Sequence, residues 1–101
     1  MKAEDHVGPG WAPVAQRAID MIEDLGVDVM QVKEKFGGLR IYCGAAVSSD
    51  LYERVNAIVA EAERECSGLC EQCGAPGQLR TGGWLKTLCD EHAAKREARD
   101  G

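Results

Sequence analysis

A chain of 101 residues that is 45% apolar and 29% charged is long enough for one small domain and too apolar to be disordered. It lacks the run of roughly eighteen apolar residues that a membrane span requires, and a net charge of −5 argues against a protein that tracks phosphates through an excess of Lys and Arg. The charge is uneven: residues 1–66 hold seven Lys/Arg against twelve Asp/Glu, and residues 67–101 hold five against five.

The N-terminus turns acidic at once instead of entering an apolar signal segment, which points to a soluble, cytoplasmic protein. Residues 1–10 contain Gly8-Pro9-Gly10 and little apolar content, and read as a flexible N-terminal arm. From Trp11 the pattern becomes helical. Pro13 suits a first turn, Val14, Ala18, Met21, Ile22 and Leu25 recur at three- and four-residue intervals, and Gly26 is a left-handed stop.

Val27 to Lys35 then changes period, with Met30 and Val32 alternating against Gln31 and Lys33. After Phe36-Gly37-Gly38 the alternation resumes through Leu39-Arg40-Ile41-Tyr42-Cys43, the pattern of a β-hairpin. Its apolar face is expected to carry Met30, Val32, Leu39 and Ile41. Gln31, Lys33, Arg40 and Tyr42 then project from the opposite face, either as an ordinary solvated surface or as a partner-binding one. Asp50 and Glu53 read as a capping box for a second helix with Leu51, Val55, Ile58, Val59 and Ala62 as its apolar stripe, ending near Cys66-Ser67-Gly68. Residues 11–66 thus form an α-β-β-α core, with both helices on one face of the hairpin.

The C-terminal third carries the chemistry. Cys70/Cys73 and Cys89/His92 each skip two residues and are separated by fifteen, the pattern of a four-ligand tetrahedral zinc site. The turn signal Gly82-Gly83 lies between them, flanked by Gln78–Thr81 and Trp84–Leu88, and predicts a second hairpin. Thr87 and Asp90 can cap a final helix on which Cys89 and His92 share a face, with Glu91–Lys95 as an i,i+4 pair. Knuckle, hairpin and helix in that order resemble a treble-clef zinc finger, so residues 67–101 are expected to form a treble-clef-like zinc-binding segment packed on the core. The expected fold class is α+β.

All four coordination positions come from protein, which makes one Zn²⁺ structural and leaves no open site for catalysis. Two rival readings of the cysteines rank below zinc, as does another metal in the same site. Cys66, Cys70 and Cys73 match a radical-SAM iron–sulfur spacing, but the chain is too short for the barrel such enzymes need, and Cys89 and His92 would have no purpose. A redox Cys-x-x-Cys normally opens a helix after a strand, a context that this sequence lacks. Cys43 reads as a small core residue. Cys66 reads as a helix-end packing residue, with a spare ligand or a redox-sensitive thiol as its alternatives.

Gly10-Trp11-Ala12-Pro13, the segment Gln31-Val32-Lys33-Glu34-Lys35-Phe36-Gly37-Gly38-Leu39-Arg40, Cys70-Glu71-Gln72-Cys73-Gly74-Ala75-Pro76-Gly77 and Thr87-Leu88-Cys89 together resemble a family of small proteins encoded by phages, prophages and bacteria. That family has no established activity, so the resemblance implies no catalytic residue, only a bacterial cytoplasmic setting. The functional expectation is a non-enzymatic module, an adaptor or inhibitor that binds another protein through Gln31, Lys33, Arg40 and Tyr42 or beside Trp84. The alternative is nucleic-acid binding, with Arg80, Lys86, Lys95, Arg96 and Arg99 on phosphates. A nuclease ranks last, because only His6 remains beyond His92 to hold a catalytic cation.

Overall fold

The computed structural model describes residues 1–100, with side chains through residue 98. Helix α1 spans Ala12–Asp24, strands β1 and β2 span Val29–Lys35 and Gly38–Cys43, and helix α2 spans Ser49–Ser67. Strands β3 and β4 (Gln78–Arg80 and Lys86–Leu88) and helix α3 (Asp90–Asp100) complete an α+β chain with two antiparallel hairpins. Among the described residues, no helix is long and apolar enough to cross a membrane.

Helix α1 starts with Pro13 in its first turn and stops at Gly26, whose φ of +83° only glycine adopts without strain. The stop is doubly bonded: Gly26 N–H donates to the Glu23 carbonyl at 2.9 Å and Val27 N–H to that of Ile22 at 3.3 Å. The buried stripe of α1 is Val14, Ala15, Ala18, Ile19 and Ile22. Met21, expected in that stripe, is 54% exposed, because packing against both α2 and β1 centres the buried face on Ala15, Ile19 and Ile22 and leaves Met21 at its rim.

The first hairpin closes with a two-residue turn, Phe36-Gly37, between paired Lys35 and Gly38. Both turn residues have positive φ, +55° and +80°, the handedness that matches the twist of the flanking strands. Glu34 Oε1 accepts the Gly37 N–H at 2.9 Å and fastens the turn. Val32, Leu39 and Ile41 are buried as expected, but Met30 is 66% exposed and Val29 takes its place. The cause is a bulge between Val29 and Gln31, which breaks the two-residue alternation at the start of β1.

Helices α1 and α2 cover the same face of this hairpin, one over each strand, and close a core around Trp11, Ile19, Ile22, Val32, Leu39 and Val55. Helix α2 begins at Ser49, ahead of the expected Asp50 cap, because the Ser48 hydroxyl accepts the Leu51 N–H at 3.2 Å. Residues 1–10, expected as a flexible arm, hold a short 3-10 turn (Ala3–Asp5), and Ala3 and Val7 are buried in the core. The Ala3 N–H donates to Gln16 Oε1 of α1 at 2.8 Å.

The two halves meet at the first hairpin's turn. Thr87, expected to cap α3, lies instead in β4, and its buried hydroxyl donates to the Gly37 carbonyl at 2.6 Å. A Cβ on Gly37 would lie 2.5 Å from Leu79 Cδ1, so the turn sits flush on the second hairpin. Thr87→Val keeps the shape and removes the donor, leaving the Gly37 carbonyl unsatisfied. The expected loss is about 1–3 kcal/mol, read by urea unfolding of the metal-loaded protein, and an unchanged midpoint would contradict this role.

Candidate metal centre

The segment after α2 folds back on itself as a tight knuckle. Leu69 bridges Pro76 in antiparallel fashion, Cys70 N–H donates to the Ala75 carbonyl at 2.7 Å, and Gly74 N–H donates to that of Cys70 at 2.8 Å. This places Cys70 and Cys73 on one side of the loop. From the other side come Cys89, directly after β4, and His92, in the first turn of α3. The Cys89 sulfur accepts the His92 N–H at 3.5 Å at the start of α3, where the helix dipole also favours a thiolate.

The four donor atoms lie within 4.8 Å of one another and could hold a single metal ion. Cys73 and Cys89 sulfurs are 3.8 Å apart, and His92 Nδ1 is 3.2 Å from the Cys89 sulfur and 3.6 Å from that of Cys70. Burial pushes the Cys70 thiol up, but N–H groups of Cys89, Gln72 and Cys73 outweigh it and hold the thiol at about 6. At Cys73 the Ala75 N–H pulls downward, yet burial and the neighbouring Cys70 and Cys89 sulfurs leave the thiol raised. Three crowded sulfurs that cannot all ionise side by side form a donor set suited to a cation at their centre.

Two structural partners of this site are not visible in the ligand spacing. Glu71, between the first two ligands, is only 6% exposed, and its Oε1 accepts from Lys86 Nζ at 3.0 Å while Oε2 has no partner. The N-terminal segment forms the second: Gly10 N–H donates to the Glu71 carbonyl at 2.9 Å, and a Cβ on Gly10 would lie 2.0 Å from the Cys70 carbonyl oxygen. Trp11, fully buried, donates its indole N–H to the Leu69 carbonyl at 2.8 Å. Gly10-Trp11 is therefore a strap across the knuckle. The Gly-Pro-Gly-Trp run was the available signal for it.

Cys66 is not part of the quartet; it is buried, and burial pushes its thiol up to about 12. Cys43 is half-buried, with its thiol likewise raised by burial. His6 is exposed. On the first hairpin, Gln31 pairs with Tyr42 and Lys33 with Arg40 on the face opposite Val32 and Ile41. Lys33 Nζ lies 5.5 Å from the Tyr42 ring centre, and Arg40 reaches Glu63 of α2 at 3.9 Å.

Trp84 lies apart from those four residues. It lines a cleft with Lys86, Lys95 and Arg96. Arg80 is engaged internally, with its guanidinium on the Leu88 carbonyl at 3.1 Å and on Asp90 Oδ1 at 2.8 Å. The Arg99 side chain lies outside the described residues. No family model, curated protein or solved structure matches the chain.

Proposed function

We propose that the chain is a zinc-stapled, non-enzymatic protein-binding module that docks an acidic surface of another protein on the outer face of its first hairpin. The observation that carries this reading is the chemistry of that face. Lys33 and Lys35 stand there in a chain of net charge −5, together with exposed Phe36 and Tyr42, while Arg40 of the same face is turned to Glu63. Cations beside exposed apolar groups suit a contact that combines electrostatic complementarity with apolar burial. Lysines lie over the Tyr42 and Phe36 rings, at 5.5 and 5.6 Å, so one face of each ring is covered, which favours a protein partner over stacked bases.

Zinc is the metal that fits the donor set. Tetrahedral bonds of about 2.3 Å to sulfur give ligand–ligand edges of roughly 3.8 Å, the separation between the Cys73 and Cys89 sulfurs. A knuckle, a hairpin and a helix with a ligand in its first turn support a treble-clef finger. Four protein ligands make the ion structural, and the finger holds the turn of the first hairpin through Thr87 and Leu79.

The test is paired affinity capture from a bacterial lysate, with wild-type protein and a Lys33→Glu/Lys35→Glu variant as baits. Arg40 is spared because it also pairs with Glu63. A protein retained by the wild type should be released by moderate salt and be absent from the variant, at a cost of tenfold or more in affinity. Identical retention by both baits would sink the assignment.

A further inference from the structure

We infer that the cleft beside the metal centre is a second binding site, for single-stranded nucleic acid, in which a base stacks on Trp84 and flanking phosphates meet Lys86, Lys95 and Arg96. The cleft measures about 390 Å³ and lies between the tip of the second hairpin, strand β4, the knuckle and helix α3. Its lining is Gly83, Trp84, Lys86, Leu88, His92, Lys95 and Arg96 with the Gln72 amide: three permanent cations and no carboxylate. Glu71 and Glu91, which pair with Lys86 and Lys95, approach from outside the lining. Glu71 holds Lys86 at 3.0 Å, and Glu91 holds Lys95 at 3.3 Å from the preceding helical turn.

Trp84 is the second observation. It is 73% exposed, so the core does not account for it. Arg96 Nη2 donates to the Trp84 carbonyl and ties the hairpin tip to α3, so the backbone that carries the indole is held beside the cations. A flat, open indole next to clustered cations is the combination that single strands use, with stacking on the ring and phosphates on the cations. An acidic peptide would use the cations and leave the ring without a purpose. A duplex keeps its bases stacked on one another and cannot offer one to Trp84. This site is separate from the first hairpin's outer face, none of whose residues lines the cleft.

The experiment titrates the zinc-loaded full chain against a fluorescein-labelled mixed-sequence 12-mer, as single-stranded DNA and RNA, and follows anisotropy and tryptophan emission. Trp11 is fully buried and Trp84 exposed, so quenching of the red-shifted emission reports on Trp84. The expected result is single-strand binding with that quenching, weakened about tenfold or more by Trp84→Leu and by Lys95→Glu. Two to three engaged phosphates give a log–log salt slope of about −1.4 to −2.1. Lys33→Glu/Lys35→Glu should leave this binding unchanged, which separates failure here from failure of the hairpin site. Each of four results would overturn the inference: no anisotropy change at 50 mM salt, equal affinity for duplex, equal competition by a poly-glutamate peptide, or binding of free AMP without binding of the strand.

Discussion

Removing the metal with a strong chelator should unfold the C-terminal third of the chain and loosen the strap and the hairpin turn that rest on it. That third has little else to hold it together: its own buried cluster is Cys70, Leu88, Cys89 and Ala93, and two of those four belong to the donor quartet. So small a cluster cannot offset the conformational entropy of ordering some thirty residues, whereas a structural zinc site contributes on the order of 10 kcal/mol of apparent folding energy. Hydrogen exchange checks this by region. In the apo protein, amides of residues 69–98 should lose protection, and so should Gly10, whose acceptor is the Glu71 carbonyl. Amides within α1 and α2 should stay protected, because their apolar core is a separate cluster. Cys89→Ser should reproduce the chelated pattern without any chelator. Uniform protection in apo and loaded protein would show that the metal does not hold the finger.

Trp11→Ala should be the most damaging single change outside the ligands. The side chain is fully buried among core residues of the first half, yet its indole N–H is spent on the Leu69 carbonyl, next to Cys70. Truncation leaves a large cavity, at about 3–5 kcal/mol, and strands the Leu69 carbonyl as well. Trp11→Phe separates the two effects, since it restores most of the apolar volume and none of the hydrogen bond. The alanine variant should also give up zinc faster to a chromogenic chelator, because a strap that no longer anchors the knuckle favours the open, metal-free form. Phenylalanine should fall between wild type and alanine in both unfolding and zinc transfer. A Phe variant identical to wild type in both would remove the indole–Leu69 bond from the account.

The four-donor cluster was legible because metal-ligand spacing is a local signal. Two skips of two residues mark both donor pairs, whatever else the chain adds to hold them. Helix α1 and the first hairpin were legible for a similar reason, their periodicities and stop signals being local. The bulge at Met30 was not, since alternation alone does not reveal where one strand gains a residue against its partner. Thr87 misled because a Thr three residues before an acid is a good helix cap in isolation, whereas here its hydroxyl is drawn to Gly37, fifty positions away. The strap at Gly10-Trp11 and the burial of Glu71 depend on contacts between opposite ends of the chain, which no local pattern encodes.

The most direct measurement of the central claim is the metal content and coordination of the purified chain, by elemental analysis and zinc-edge X-ray absorption. The expected result is one zinc per chain, with three sulfurs at about 2.3 Å and one nitrogen at about 2.0 Å. A metal-free chain that keeps its C-terminal third folded, or an iron-containing chain that draws Cys66 into the ligand set, would contradict it.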